Sequence, residues 1–362
     1  MYCERCGKEL SGGSHFCEFC GYEINYGHSF IAGTVSNATA KMFDAVGVAD
    51  VPRFKLKDLL ADVFRRHSEE EIESRFLVGT MKTTPSILRV RCEWPKPWMF
   101  FRCLIASVFL YLLFSIALDY FENPNLIPGL VFLGSVAMPL SASIFFFELN
   151  VWRNISLLAI GKFIVAGGVI SILIASLFFS LYENELSWLS MAAAGLIEEP
   201  AKLAALVFMA RGCRYAHKLN GLVLGAAIGT GFAIFESMGY STFCLICSDN
   251  LADGIAELRK VTILRGVLSP FCHVVWTAIA GAALWRVSNG QLQFGCLFKF
   301  KFLRLFAIPV LFHMAFNFSI ERGVLAFLVL PIEAILIWKL IIALADEGIK
   351  EVSLVKKTIR KE

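Results

Sequence analysis

The chain has 362 residues, of which 57% are hydrophobic and only 18% charged, with 33 Phe and a mean hydropathy of +0.65. Soluble domains are about 45–50% apolar and about 25% charged, so this composition excludes an ordinary soluble enzyme and points to a membrane protein. A net charge of +4, without a long basic tract, gives no support for nucleic-acid binding.

The first residues, Met1 to Gly7, contain no apolar stretch ahead of a cleavage site and do not read as a secretory signal. Two knuckles follow one another, Cys3-x-x-Cys6-Gly7 and Cys17-x-x-Cys20-Gly21. Each turn aims two thiolates at one point, and two such turns supply the four sulfurs of a tetrahedral structural zinc. A pair of disulfides or redox dithiols is the competing reading, but a segment this short has no core of its own without a metal. A zinc ribbon is therefore expected over 1–26. A closed four-cysteine site leaves no position for substrate, so it is a fold staple and a docking or sensing module for a cytoplasmic protein partner. Thiolate ligands also require a reducing compartment, which places the N-terminus in the cytoplasm.

Residues 27–95 read as a linker followed by an amphipathic juxtamembrane segment. Leu56, Leu59, Leu60, Val63, Phe64, Ile72 and Phe76 fit a helical stripe, and Glu69-Glu70-Glu71 after Ser68 fits a capped, solvated helix start. Trp94-Pro95-Lys96-Pro97-Trp98 marks the membrane entry with interfacial aromatics.

The expected fold is an all-α polytopic membrane domain over 96–346 with a basic tail over 347–362. Stretches long enough to span a bilayer lie near 99–118, 127–148, 158–181, 188–210, 219–246, 264–285, 303–320 and 323–344, about eight in all. One set of loops carries Arg153, Lys162, Arg211, Arg214, Lys218, Arg286, Lys299, Lys301 and Arg304, and the other carries Arg259, Lys260, Arg265 and Arg322. The positive-inside rule then puts both termini in the cytoplasm. The segment 247–263 reads as an outer solvated loop, or a lid, beside Cys244-x-x-Cys247.

Ionisable groups at bilayer depth cost about 2.5–3.5 kcal/mol each on insertion scales, yet four successive spans carry them. They are Glu198, Glu199 and Lys202; Glu236, four residues after Phe232; His273; and His313, four residues before Asn317. Each alone has a structural reading: an ion pair in a helix kinked at Pro200, an interhelical hydrogen bond, a satisfied histidine. Together they supply two His and a Glu, the ligand types of a catalytic zinc with an open position, and a further Glu to act as general base. The run Gly225 to Gly231 lets a neighbouring helix come close to the span of Glu236.

As an ordered set, Glu198-Glu199-x-x-Lys202, Phe232-x-x-x-Glu236, His273 and His313-x-x-x-Asn317 resemble the motif series of the PrsW family of intramembrane proteases, which is similar to the CAAX prenyl-protease and bacteriocin-immunity group. The resemblance covers about residues 100–345, and Phe145 to Asn150 also looks familial. It implies cleavage of a peptide bond, in or beside a bacterial or archaeal cell membrane, in a membrane-protein or lipid-proximal peptide substrate. In the expected scheme Glu236, His273 and His313 bind a second zinc. Glu199 or Glu198 takes a proton from the attacking water and returns it to the leaving amine, Asn317 holds the oxyanion, and Lys202 neutralises the other glutamate. One alternative is a metal-independent glutamate-type protease. Another is a proton- or ion-coupled transporter or receptor, although no hydropathy symmetry between halves supports it.

Overall fold

A computed structural model describes residues 41–48, 60–80, 82–182, 191–212, 215–288 and 290–359. Cys3, Cys6, Cys17 and Cys20, with the whole of the expected ribbon, lie outside the described residues. The chain divides into two compact units, Met1–Ala45 and Val46–Glu362, and the second holds the seven helices among the described residues that are long and apolar enough to cross a membrane.

Helix α1 (Glu69–Phe76) begins as expected, with the Ser68 hydroxyl accepting from the Glu71 N–H and three acids in the first turn, where they complement the helix dipole. Among the described residues the stripe expected from Leu56 is helical only from Glu69; residues 60–64 form turns. This segment is fastened to the next helix, α2 (Met99–Phe121). Arg102 donates to the carbonyls of Val63 and Arg65, and the His67 ring stacks on Trp98 at 3.7 Å. The free N–H groups of Trp98, Met99 and Phe100 at the start of α2 are accepted by the carboxylate of Glu148. That is the role of the acid in the Phe145 to Asn150 run, which ends α3 (Ile127–Leu149).

Helix α4 (Leu157–Lys162) passes through a π-helical turn, Phe163–Gly167, into α5 (Gly168–Tyr182). Then come α6 (Ala193–Ala210), α7 (Lys218–Ile246), α8 (Leu251–Leu268), α9 (His273–Ser288), α10 (Phe300–Glu321) and α11 (Ala326–Ile359). The second unit is all-α, with no strand among the described residues.

Seven helices among the described residues are long and apolar enough to cross a membrane, against about eight expected: Met99–Phe121, Pro124–Leu149, Leu157–Leu181, Lys218–Ile246, Leu251–Ser288, Phe300–Glu321 and Ala326–Ile359. The remaining one, expected over 188–210, is α6, whose 18 residues include Glu198, Glu199 and Lys202. Its charges take it out of the apolar class while its burial keeps it in the core. The expected solvated loop at 247–263 is instead mostly helix. Asn250 caps α8 by accepting from Asp253 N–H, and Leu258 is fully buried with Tyr111, Leu130 and Val131. A turn at Ser269–Phe271 with Pro270 separates α8 from α9 and makes His273 the first residue of α9. Helix α11 continues without a break to Ile359, and its Glu347 pairs with Lys218 and Arg286.

Helix α7 is the central element, buried along most of its length. Gly221, Gly225 and Gly229 share one face and meet the backbones of Gly281, Thr277 and His273 on α9 in turn, while Gly231 meets Ile164 and Gly168. At each of these four positions an added Cβ would overlap backbone atoms, so only glycine allows the approach.

Gly225→Val is expected to lower stability by about 1–3 kcal/mol or more, read as a drop in Tm in detergent. Glu148→Ala is expected to cost about 1–3 kcal/mol, because three buried or half-buried N–H groups lose their acceptor; the same melting measurement checks it.

Candidate functional site

Glu198, Glu199 and Lys202 come from α6, Glu236 from α7, His273 from the first turn of α9, and His313 and Asn317 from α10. The structure brings the first six into one buried cluster. Lys202 Nζ, fully buried, donates to Glu199 Oε1 at 2.5 Å and lies 2.9 Å from His273 Nδ1. It also sits over the Phe232 ring at 4.6 Å, which gives the aromatic of the Phe232-x-x-x-Glu236 pair a physical task. Glu199 Oε1 lies 2.9 Å from His313 Nδ1. Glu236 Oε2 lies 2.9 Å from His273 Nε2.

The donor inventory fixes both tautomers. A lysine ammonium has no lone pair, so His273 Nδ1 accepts from Lys202 and its Nε2–H donates to Glu236. The Glu199 carboxylate only accepts, so His313 carries its proton on Nδ1 and turns the Nε2 lone pair to the other side. There stands Glu198 Oε2, 3.8 Å from His313 Nε2 and 3.8 Å from His273 Nδ1. This oxygen is buried and has no hydrogen-bond partner among the described residues, a costly arrangement unless a ligand or proton completes it. Glu198, His273 and His313 each offer one donor atom within 4.8 Å of the others, so the residues fit a divalent ion of the zinc class once Lys202 leaves His273 Nδ1 and keeps Glu199 alone as its acceptor. Glu236, expected in that trio, lies instead against Arg265 and the far nitrogen of His273.

A cavity of about 410 Å³ opens on the cluster. Glu198, Glu236, His273, His313 and Asn317 line it, and Glu199 and Lys202 do not. The two adjacent glutamates are thus divided by the helix turn between them, one facing the cavity and one facing inward. Asn317 Nδ2 donates to the Met191 carbonyl at 3.1 Å on the rim. Most of the remaining wall is apolar, from Phe179, Ala194, Ala233, Leu264, Leu268, Phe316 and Ile320.

Arg265, by sequence one of the basic residues of an outer loop, stands on the cavity wall and donates to Glu236. The sequence signal that could have found it is the helical continuity of 251–268, which places Arg265 within the membrane-spanning run Leu251–Ser288 and so demands a partner.

Breaking the buried Lys202–Glu199 pair on one side leaves an uncompensated charge, with an expected cost of about 3–5 kcal/mol. Lys202→Met alone should therefore unfold far more readily than the Lys202→Met/Glu199→Gln double variant, as measured by thermal unfolding of both in detergent.

The model of the family described as PrsW family intramembrane metalloprotease matches residues 152–344, the region that holds every one of these side chains. A curated relative, Protease PrsW of Clostridioides difficile (strain 630), is 28% identical over 189 residues, covering 49% of this chain and 74% of that protein. No solved structure matches the chain. With the match spanning more than half of the chain, and with buried carboxylates and imidazoles converging on one cavity within a bundle of membrane-crossing helices, the chain belongs to the PrsW family of intramembrane proteases.

Proposed function

We propose that the chain hydrolyses a peptide bond of a membrane-inserted or membrane-proximal protein substrate at the cavity of Glu198, His273, His313 and Asn317, and that Glu198 takes the proton from the attacking water. The single observation that carries this reading is Glu198 Oε2: buried, without a partner among the described residues, and 3.8 Å from an imidazole nitrogen of each of two helices. The charge balance of the cluster supports it. Lys202 is matched by Glu199 and Arg265 by Glu236, so Glu198 is the carboxylate left without a counter-charge in the cluster. A general base needs a free lone pair facing the reacting water; Glu199 has Oε1 committed to Lys202 and His313, and its unpartnered Oε2 belongs to a side chain that does not line the cavity.

Glu198, His313 through Nε2 and His273 through Nδ1 would hold a zinc ion, the His273 lone pair being released when Lys202 keeps only Glu199 as its acceptor. Such an ion, when bound, supplies Lewis-acid polarisation of the scissile carbonyl and makes water a better nucleophile at neutral pH. Glu198 receives a proton from the attacking water and delivers it to the leaving amine. Glu199 behind His313 and Glu236 behind His273 orient the two rings, the usual task of a carboxylate on the far nitrogen of a ligating histidine. Asn317, on the same helix face as His313 and on the cavity rim, is placed to donate to the developing oxyanion. The chain's own groups also allow a metal-free route, with Glu198 acting on water directly.

Three further parts of the reading rest on sequence. Cys3, Cys6, Cys17 and Cys20 hold a structural zinc in a ribbon that receives a cytoplasmic protein partner. Both termini face the cytoplasm, as the distribution of basic loop residues indicates. Glu236 follows Lys218 by about 27 Å along α7 at 1.5 Å per residue, nearly the thickness of the hydrocarbon core. The cavity therefore serves a peptide bond towards the outer side of the membrane.

Glu198→Gln is expected to reduce cleavage of a membrane-protein substrate at least about 10²-fold, while Glu198→Gln with full activity would refute the base assignment. Zinc per chain is expected to fall by one from the parent to the His273→Ala and His313→Ala variants. Equal zinc in all three would leave the ribbon as the metal site and the intramembrane chemistry to the glutamate alone.

A further inference from the structure

We propose that Arg265 is a positioning residue of the peptidase site, acting through Glu236 to hold the His273 ring. The inference rests on the reading of His273 as part of the reacting site and assigns a task to a residue outside the motif series.

His273 needs such support because of where it stands. It is the first residue of α9, one residue after the Ser269–Phe271 turn, so its backbone lies at a helix start and not within a continuous helix. Gly229 on α7 seats its backbone carbonyl, and Phe232, Trp276 and His313 pack against its ring, but only its two hydrogen-bond partners fix which nitrogen carries the proton and where each nitrogen points. One is Lys202 and the other is Glu236, whose Oε2 stands 2.9 Å from Nε2.

That same oxygen, Glu236 Oε2, is the one to which the Arg265 guanidinium donates. Arg265 is itself held on three sides by one face of α7. Its second terminal nitrogen meets Glu236, its Nε donates to Ser237 Oγ at 3.0 Å, and its Cζ lies 4.5 Å over the Tyr240 ring. A planar guanidinium with its donors fixed in a fork sets the position of an oxygen more closely than a flexible ammonium can. The chain of contacts therefore runs from Ser237 and Tyr240 through Arg265 to Glu236 and on to His273. Two helices that flank the Pro270 turn, α8 and α9, are thereby tied to the same carboxylate of α7, so the turn and the ring are set together. The guanidinium also neutralises Glu236 in a place where an unpaired carboxylate would be expensive.

The test is steady-state cleavage by the full chain carrying Arg265→Gln, Arg265→Lys, Glu236→Gln, and Arg265→Gln with Glu236→Gln, together with imidazole ¹⁵N shifts of His273. Arg265→Gln is expected to lower kcat about 10–100-fold, the range for groups that orient a reacting or ligating histidine, with KM within about twofold. Arg265→Lys should fall between it and the parent. The double variant should be no slower than Glu236→Gln, since Arg265 works only through Glu236. In the ¹⁵N spectrum the single Nε2-protonated form of His273 should give way to a mixture of tautomers. A raised KM with kcat intact would make Arg265 a substrate contact and overturn the proposal, as would losses that multiply in the double variant or an unchanged His273 tautomer. Should Arg265→Gln fail to fold, Arg265→Lys carries the test, and parental kcat and tautomer in that variant overturn it. Failure of the site reading itself looks different: Glu198→Gln would then cleave as the parent does, while the ¹⁵N signature of Arg265→Gln would still change.

Discussion

The ammonium of Lys202, fully buried between Glu199 and His273, is the constraint around which the helix bundle is arranged. A charge at this depth is tolerated only when its donors are satisfied, and its partners come from helices other than its own as well as from the preceding turn of α6. One donor reaches the carboxylate that holds His313 on α10; another reaches His273 on α9, which in turn meets Glu236 on α7, itself paired with Arg265 on α8. Five helices are thus joined by one alternating series of charged and imidazole groups, and neither imidazole need be ionised for the series to be satisfied.

Such a series requires backbones that come close enough for short side-chain contacts. The glycine face of α7 provides this. Gly221, Gly225 and Gly229 let α9 lie directly on α7, and Gly229 sets the very carbonyl of His273. Gly231 does the same for the π-helical turn before α5. The membrane gives no hydrophobic drive for helices to associate, so close packing and interhelical polar contacts carry the association; here both are concentrated on α7. The stability of the bundle and the geometry of the site therefore rest on the same helix.

In the proposed reaction, the division between Glu198 and Glu199 separates the proton acceptor from the glutamate that the network holds. Adjacent residues on a helix point about 100° apart. Each glutamate keeps one unpartnered oxygen, but Glu199 is held by Lys202 and His313 away from the cavity, while Glu198 lines it. A proton acceptor that is both desolvated and unsatisfied, next to imidazole nitrogens with assigned proton positions, is suited to water activation. The apolar wall around it suits a substrate segment arriving from lipid.

The sequence by itself determined the class of molecule and the identity of nearly every polar group in the site. Apolar runs of span length show directly in composition, and charged or histidine residues inside them stand out because they are expensive there. The Ser68 cap of α1 and the close approach at Gly225 to Gly231 were also legible, since both are local signals. Tertiary structure decided the rest. Which glutamate faces the cavity depends on the rotation of α6 against α9 and α10, and no spacing rule encodes that. That Glu236, a ligand candidate by sequence, also pairs with Arg265 was hidden because α8 is a helix packed on α7 and not a solvated loop; the charges that suggest a loop lie in its first half, while its last turns carry Arg265 to the cavity. The span near 188–210 was legible as an apolar stretch even with the three charges of α6, but its burial among the other helices, which makes it the centre of the site, comes only from the packing.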